Sequence, residues 1–309
     1  MPEYRHQSVL VEEVASALRL RPGGRYVDGT LGGGGHAALI LDRTSPDGWL
    51  FGCDRDGTAL AAAPERTAEW VGRYQFRRGD FADLGEWIEP SSCDGVLLDL
   101  GVSSAQLDQA GRGFSFQADG PLDMRMDDRE PRSAADWVND APVEELVRIF
   151  REFGEEREAR RLARVIEAER QKGRFTSTRQ LAALVERVVP RRGQRLHPAT
   201  RVFQALRMAV NDELGSLQRG LPAAAGVLRP GGRLAVITFH SVEDRAVKRF
   251  GQRQSCGYVV PGDVDVPELR CPVRPTLRWV QRRTQAPTAE EIDANPRSRS
   301  AQLRVLEKL

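Results

Sequence analysis

The sequence predicts an α/β fold in which a parallel sheet is interrupted by an all-helical insertion and then completed. From Arg25 to Leu100, short apolar runs alternate with helical stretches, which is typical of βαβ units. A glycine-rich turn directly follows the first apolar run. In the middle of the chain apolar residues recur at helical spacing, and strand-like runs return after Gly232. The prediction depends on these three observations.

Four strand candidates precede the insertion and three follow it. The first four are Tyr26-Val27, Trp49 to Cys53, Tyr74 to Phe76 and Gly95 to Leu98. After the insertion, Gly231 and Gly232 mark a turn. The last three candidates are Arg233 to Phe239, Leu277 to Val280 and Gln302 to Leu306.

Helical periodicity characterises the middle of the chain. Its apolar stripes comprise Leu146, Ile149, Phe150 and Phe153, then Leu162, Ala163 and Ile166, then Leu181, Leu184, Val185 and Val188. Ser177, followed three residues later by Gln180, is a capping box that predicts the start of the third helix. A further long helix opens with Pro198 and carries Phe203, Leu206, Val210, Leu214 and Leu217 on one face. We therefore expect a discontinuous α/β domain over residues 1–106 and 206–309, and a helical insertion over 107–205.

Composition excludes several classes of protein. The 309 residues carry 46 Lys and Arg and 44 Asp and Glu, a net charge of +2, so the chain is not generally polybasic. No apolar run approaches the roughly 18 residues needed to cross a bilayer, and we expect neither a membrane span nor a secretory signal. The spacing of Cys53, Cys93, Cys256 and Cys271 fits neither a disulfide framework nor a zinc site. These features favour a cytoplasmic protein.

Charge is unevenly distributed along the chain. Residues 146–205 hold 15 Arg and Lys and 7 Glu, and residues 270–309 hold 9 basic and 4 acidic residues. The remainder is therefore acidic. Two basic regions on an acidic body favour a polyanionic partner, although exposed helices with mixed charges would give a similar composition.

The glycine-rich turn from Asp28 to His36 is the strongest indication of a ligand. Consecutive glycines let backbone N–H groups approach a ligand closely. Twenty-two residues beyond Gly32, the second strand ends in Asp54, where such a sheet presents a carboxylate to ribose hydroxyls. The pattern fits both NAD and S-adenosylmethionine. Asp28 favours S-adenosylmethionine, because a carboxylate there repels a pyrophosphate and attracts a sulfonium and an ammonium.

Two further residues follow predicted strands at the same edge of the sheet. Phe81 follows the third strand, where its ring would cover an adenine or fill the core. Asp99 ends the fourth strand after three apolar residues, at the carboxyl edge where ligands bind. The sequence therefore predicts a ligand site that several strand ends share.

Several sequence blocks together resemble the RsmH/MraW family of ribosomal RNA small-subunit methyltransferases. They are His6 to Leu10, Asp28 to His36, Asp54 to Asp56, Leu98 to Ser104, Arg112 to Phe116, Gly120 to Met126, His197 to Arg201, Phe239 to Arg245 and Asn295 to Ser300. The resemblance implies a class I (Rossmann-like) S-adenosylmethionine-dependent methyltransferase domain with an inserted helical recognition domain. It also implies methylation of the exocyclic N4 of one cytidine in the decoding region of 16S rRNA, within the small ribosomal subunit.

The same resemblance assigns cofactor contacts motif by motif. They would be Gly34, Gly35, His36, Asp54, Phe81, Asp99 and Gln106.

Carbon methylation of cytosine is disfavoured, because it needs an exposed nucleophilic thiolate that the four cysteines do not offer. Methylation of an amine needs acceptors for its N–H groups, and Asp99 is the candidate catalytic residue. The reaction requires no metal.

Substrate contacts are expected from two groups of residues. His240 and Glu243 follow the strand Arg233 to Phe239 and would face the nucleotide, or His240 would shape the turn. The candidate RNA contacts, chosen because Arg binds phosphates and stacks on bases, are Arg112, Arg125, Arg191, Arg192, Arg195 and Arg201. A homodimer is left open.

Two alternatives from other classes of protein compete with this reading. One is a non-catalytic RNA-binding or assembly factor that retains a cofactor pocket, and the intact Asp28, Asp54 and Asp99 argue against it. The other is an NAD-dependent oxidoreductase, against which Asp28 also argues.

Overall fold

A computed structural model describes residues 8–190, 197–262 and 264–309. The chain divides into two compact units. The first comprises Met1–Gly101 and Leu214–Leu309, and the second comprises Val102–Glu213. Within the described ranges, no helix combines the length and the apolar character needed to cross a membrane.

A seven-stranded sheet organises the first unit. Its strands are β1 (Arg25–Asp28), β2 (Trp49–Asp54), β3 (Tyr74–Arg78), β4 (Cys93–Asp99), β5 (Leu228–Thr238), β8 (Leu277–Trp279) and β9 (Gln302–Lys308). Their order in the sheet is β3-β2-β1-β4-β5-β9-β8. The first five strands are mutually parallel, and β9 runs antiparallel to both β5 and β8. The predicted Rossmann-like α/β fold, with a sheet completed late in the chain, is confirmed.

Alternating side chains of the strands fill two cores, one on each face of the sheet. Leu97 and Ile237 pack in one core with residues of helices α1 (Val11–Leu18) and α2 (Gly35–Arg43). Leu98 and Val236 belong to the other core. Burial of both faces explains why these strands read as nearly continuous apolar runs in the sequence.

Further helices complete the first unit. They are α3 (Gly57–Arg66), α10 (Glu213–Val227), α11 (Ser241–Ser255) and α12 (Ala289–Ala294). Leu217, Leu221 and Ala224 of α10 are buried in the second core, together with Val247 and Phe250 of α11. The two-stranded ribbon of β6 (Tyr258–Val259) and β7 (Cys271–Pro272) follows α11.

The second unit is helical. Its helices are α4 (Ser104–Asp108), α5 (Ala134–Asp140), α6 (Val143–Glu152), α7 (Ala159–Arg170), α8 (Thr178–Val188) and α9 (Ala199–Val210). The apolar stripes predicted from the sequence are buried in one core, Phe153 only partly. The Ser177 hydroxyl and the Gln180 side chain form the predicted capping box of α8.

The prediction of one long helix that opens with Pro198 and includes Leu217 is wrong, because the structure has two helices there. Helix α9 ends at Val210 and α10 begins at Glu213. Between them Asp212 adopts a left-handed backbone conformation with φ of 44°, which an α-helix does not tolerate. Asn211 stabilises the break, since its Nδ2 donates to the carbonyls of Met124 and Arg207, each at 2.8 Å. The apolar spacing continues across the break, so it misled the sequence-based prediction.

Candidate active site

The glycine-rich turn connects β1 to α2 and brings the backbone close to neighbouring segments. Gly34 precedes α2 in a left-handed conformation with φ of 80°. A Cβ on Gly34 would lie 3.1 Å from the carbonyl oxygen of Ala63. A Cβ on Gly35 would lie only 2.0 Å from the Ser8 hydroxyl oxygen. The turn therefore needs glycine both for its conformation and for its close packing.

Three aspartates lie side by side where β2, β1 and β4 end. Asp28 of β1 pairs in register with Gly52 of β2 and with Leu97 of β4. Asp54 and Asp99 each lie two residues further along their strands. The structure thus brings together three predicted site residues at the carboxyl edge of the sheet, where ligands of open α/β sheets bind.

Asp54 fastens the glycine-rich turn to the end of β2. Its carboxylate accepts hydrogen bonds from the backbone N–H groups of Gly32 and Asp56, both at 2.8 Å. Burial raises the pKa of Asp54 to about 6, and the two backbone donors oppose this shift. A carboxylate has about four acceptor positions, so Asp54 retains capacity for ribose hydroxyls.

Asp28 is buried beneath the same turn. One carboxylate oxygen accepts from the backbone N–H of Thr30 at 3.1 Å, and the other has no hydrogen-bond partner in the described part of the chain. Burial raises the pKa of Asp28 to about 6, against the opposing influence of His36. A buried carboxylate without a full set of partners is costly, and a cationic ligand would relieve that cost.

His36, in the first turn of α2, lies between acidic groups. Its Nε2 is 3.6 Å from a carboxylate oxygen of Asp99, which is an ion-pair distance but longer than a hydrogen bond. Burial disfavours the imidazolium, but Asp99, Asp28 and Glu291 outweigh burial and raise the pKa of His36. Glu291 belongs to α12 and also accepts a hydrogen bond from the backbone N–H of Leu10 at 2.8 Å. Sequence reasoning missed Glu291, which is distant in sequence from this turn.

Phe81 follows β3, and its ring packs against helix α10. Asp80 caps the short 3₁₀-helix that Phe81 begins, and its carboxylate also accepts from the Ser216 hydroxyl at 2.5 Å and pairs with Arg55. The Phe81 ring packs closely on Gly220 of α10, where a Cβ would lie 2.2 Å from a ring carbon. The sequence indicated Phe81, but it held no signal for the contacts with Ser216 and Gly220.

The polar groups at this edge fit S-adenosylmethionine. Buried polar atoms almost always have hydrogen-bond partners, yet Asp28 Oδ2, Asp99 Oδ1 and both ring nitrogens of His36 have none within the described ranges. Three neighbouring carboxylates attract a sulfonium and an ammonium, and they repel the pyrophosphate of a dinucleotide. Asp28 would hold the cationic end, and Asp54 would hold the ribose.

His240 and Glu243 form a capping box at the start of α11. The Glu243 carboxylate accepts from the backbone N–H of Phe239 at 2.8 Å, and His240 Nδ1 accepts from the Glu243 N–H at 3.5 Å. His240 Nε2 lies 3.0 Å from a Glu243 oxygen, without the angle of a hydrogen bond. Both side chains therefore shape the turn after β5, and their contact with a nucleotide stays a prediction.

Three predicted site residues of the helical unit make hydrogen bonds inside that unit. Gln106 completes the capping box of α4 with Ser103. The Arg112 guanidinium donates to the carbonyls of Arg125 and Met126 at 3.0 and 3.2 Å. Arg125 forms a two-pronged ion pair with Asp123, at 3.0 and 2.8 Å. These bonds stabilise the segment between α4 and α5.

The remaining arginine candidates fall into two groups. Arg201, in the first turn of α9, is partly exposed and forms no hydrogen bond or ion pair with any described residue. Arg191, Arg192 and Arg195 lie outside the described residues.

Comparisons with known proteins match the whole chain. Residues 3–309 match the MraW methylase family. Proteins named Ribosomal RNA small subunit methyltransferase H from Geobacter sulfurreducens, Trichlorobacter lovleyi and Syntrophotalea carbinolica are 51%, 50% and 52% identical to it. These matches cover 99%, 100% and 99% of this chain, and 99%, 100% and 98% of those proteins. The chain is a methyltransferase that uses S-adenosylmethionine, and it belongs to the MraW methylase family.

Proposed function

We propose that this protein methylates the exocyclic N4 of a cytidine in the decoding region of 16S rRNA, within the small ribosomal subunit. Relatives about 50% identical over their full length carry a name that specifies small-subunit ribosomal RNA. The observation that carries the proposal is the buried Asp99 oxygen at the end of β4, which has no partner in the described chain.

An amine at cytosine C4 is a poor nucleophile, because its lone pair is delocalised into the ring. When bound, S-adenosylmethionine supplies an activated methyl group. The Asp99 carboxylate would accept a hydrogen bond from the amine and favour the tetrahedral nitrogen that attacks. His36, 3.6 Å from the other Asp99 oxygen, would keep the Asp99 carboxylate oriented. The remaining acceleration would come from alignment of the reacting atoms.

Methylation of a ring carbon is the competing chemistry, and the cysteines do not favour it. That reaction requires a cysteine thiolate that adds to the ring. Cys53 and Cys93 are buried in the sheet, and burial raises the pKa of both thiols. Cys271 is exposed but lies in the β6–β7 ribbon.

We assign substrate recognition to the helical segment 107–205. Residues 146–205 carry 15 Arg and Lys and 7 Glu, which suits a polyanion. Arg201 has no ion-pair partner among described residues, so its charge is available for phosphate, and Arg191, Arg192 and Arg195 remain candidates. His240 and Glu243 are proposed to face the nucleotide from the turn that they cap, and Gln106 is proposed to contact the cofactor. A ribosomal substrate implies a cytoplasmic protein.

The decisive experiment is methyl transfer from labelled S-adenosylmethionine to small ribosomal subunits from cells that lack the endogenous enzyme. Nucleoside analysis should identify N4-methylcytidine in 16S rRNA. Matched subunits that already carry the modification should accept no label. A different methylated nucleoside would contradict the proposed specificity. Tight cofactor binding without transfer, on subunits, precursors and naked RNA alike, would favour the non-catalytic RNA-binding factor.

A further inference from the structure

A second group of charged residues lies at the opposite edge of the sheet, where the parallel strands begin. One row of paired residues crosses five strands there: Tyr26, Gly95, Arg233, Glu307 and Arg278. Neighbouring strands are about 4.8 Å apart, so the row spans roughly 19 Å. Asp94 and Asp99 are five residues apart on β4, so this edge lies about 17 Å from the candidate active site.

The Glu307 carboxylate forms ion pairs with three arginines at this edge. Its carboxylate lies 3.3 Å from Arg233 and 3.8 Å from Arg19, and it accepts a hydrogen bond from Arg278 at 2.5 Å. The Glu307 side chain is only 8% exposed, whereas those of Arg19 and Arg278 are 65% and 62% exposed. One buried carboxylate thus fixes two outward-facing guanidinium groups.

Asp94 repeats the arrangement two strands away, since β5 lies between β4 and β9. Its side chain pairs with Arg21 at 2.8 Å and also with Arg229, and it accepts from the backbone N–H of Arg25 at 2.9 Å. Arg21 is 57% exposed. A further carboxylate, that of Asp47, lies beside Gly23 in the turn that precedes β1.

Positive charge at this edge exceeds what its carboxylates neutralise. The group of Arg19, Arg21, Arg229, Arg233 and Arg278 shares the carboxylates of Glu307 and Asp94, and Asp47 adds a third nearby, so two positive charges are left unmatched. Like charges held close together repel each other. The pKa of Arg233 reflects this, since burial and then the Arg19 charge lower it. An anionic partner would remove the repulsion.

The arrangement suits an extended polyanion rather than a single small anion. Exposed guanidinium groups lie along the edge instead of converging on one pocket, and each is oriented by a carboxylate side chain that is at most 10% exposed. Guanidinium groups bind phosphate oxygens in two-pronged fashion. We propose that this edge, with Arg19, Arg21, Arg229 and Arg278 exposed around the buried Arg233, binds the sugar-phosphate backbone of the RNA substrate at a site remote from the methylated nucleotide. The inference rests on the proposed RNA substrate.

The test is the salt dependence of binding to unmodified small ribosomal subunits by the full chain and by the variant R19Q/R21Q/R278Q. Each phosphate contact contributes roughly 0.7–0.9 to the slope of log K against log salt concentration. The triple variant should therefore reduce the slope by about two to three and weaken binding about tenfold or more at 0.15 M salt. Its affinity for S-adenosylmethionine should be unchanged. Arg21→Gln alone should reduce the slope by about one, which provides a milder substitution if the triple variant is unstable.

Two further variants separate position from total charge. The matched control R77Q/R249Q/R253Q removes the same charge from exposed arginines of β3 and α11 and should largely retain the slope. The variant R19K/R21K/R278K retains charge and should recover most of it. An unchanged slope in a folded R19Q/R21Q/R278Q variant, or an equal loss in the control, would overturn the proposal.

The outcomes also distinguish this inference from the proposed function. If the wild-type protein methylates RNA while the triple variant keeps its slope, only the phosphate-binding edge is wrong. If the wild-type protein binds subunits and the variant loses slope, but neither transfers a methyl group, the edge is supported and the proposed reaction fails. Absence of any salt-dependent binding by the wild type overturns both.

Discussion

Nε2 of His36 lies 3.6 Å from a carboxylate oxygen of Asp99, and both side chains are nearly inaccessible to water. The other Asp99 oxygen has no partner among the described residues. The pair therefore presents a fixed acceptor at the end of β4 rather than a mobile surface carboxylate. A fixed acceptor is effective in catalysis because it needs no reorganisation when charge develops on the substrate.

The first prediction concerns the role of Asp99. Asp99→Asn preserves size but removes the negative charge, so it should lower kcat about 100-fold or more while the Kd for S-adenosylmethionine stays within about threefold. Single-turnover methyl transfer and cofactor titration measure the two quantities. Asp83→Asn, at an exposed position after β3, is the matched control and should change neither. A large loss of cofactor affinity with normal turnover of the bound complex would reassign Asp99 to cofactor binding.

The second prediction is that cofactor affinity falls in mild acid. Burial raises the pKa of Asp28 to about 6, so this carboxylate becomes protonated as the pH falls through 6. Attraction for the cationic end of S-adenosylmethionine is then lost. The Kd should rise about tenfold between pH 8 and pH 5 for this one group, and further if Asp54 also titrates. Isothermal titration across this range measures the effect.

Protonation of Asp28 affects folding stability in the opposite direction to cofactor affinity. The two effects can therefore be told apart. A carboxyl whose folded-state pKa lies above its unfolded value binds protons more tightly when folded, so Asp28 contributes more stability as the pH falls from 6 towards 4. Weaker binding at pH 5 therefore does not result from unfolding caused by Asp28. Asp28→Asn should bind the cofactor more weakly at pH 8 and show a flatter pH profile. A profile as steep as that of the wild type would exclude Asp28 as its origin.

The third prediction uses two glycines of α10. A Cβ at Gly220 would lie 2.2 Å from the Phe81 ring, whereas a Cβ at Gly226 would meet nothing within 4 Å. Gly220→Ala should displace the ring and lower the free energy of unfolding by about 1–3 kcal/mol. The Kd for S-adenosylmethionine should rise about tenfold, equivalent to about 1.4 kcal/mol, if Phe81 covers the adenine. Gly226→Ala is the matched control and should be neutral or stabilising by up to about 1 kcal/mol. Lower stability with unchanged cofactor affinity would show that Phe81 only fills the core.

Much of the sheet could be predicted because each strand satisfies a local rule. The β4 segment is an apolar run that ends in Asp99, and the β1 segment ends in Asp28 before consecutive glycines. Parallel strands align their carboxyl ends, so the meeting of Asp28, Asp54 and Asp99 followed once the strands were identified. The chemistry of the site was therefore accessible from residue types and their positions.

Other features depend on partners that are remote in sequence. The Ser216 hydroxyl binds Asp80 although 136 residues separate them, and periodicity within α10 contains no sign of this contact. Glu307 lies close to the end of the chain, and its role depends on Arg19 and Arg233 from two other segments. The sequence leaves open whether His240 contacts the nucleotide or shapes the turn, and only the backbone geometry shows that it caps α11. These are tertiary relationships, which local sequence patterns do not encode.

The break between α9 and α10 leads to the last prediction. Asn211 Oδ1 accepts from the backbone N–H of Met126 at 2.7 Å, and its Nδ2 donates to the Met124 carbonyl at 2.8 Å. Met124 is buried and has a φ of 63°, a left-handed conformation that costs about 1–2 kcal/mol for a residue other than glycine. Asn211 therefore holds a strained segment of the helical unit in place.

Asn211→Ala leaves the Met126 N–H buried without an acceptor, and it should lower the free energy of unfolding by about 1–3 kcal/mol. Asn211→Asp keeps the acceptor for the Met126 N–H but removes the donor to the Met124 carbonyl. A loss of stability in this variant therefore reports the bond to the Met124 carbonyl. Gln204→Ala, which removes one bond from α9 to the Phe153 carbonyl, is the matched control and should cost about 1 kcal/mol or less. Chemical denaturation measures all three variants. If the helical unit recognises RNA, Asn211→Ala should also raise the KM for ribosomal subunits and leave the Kd for S-adenosylmethionine unchanged. Wild-type stability in Asn211→Ala would mean that the backbone, and not this side chain, determines where α9 ends.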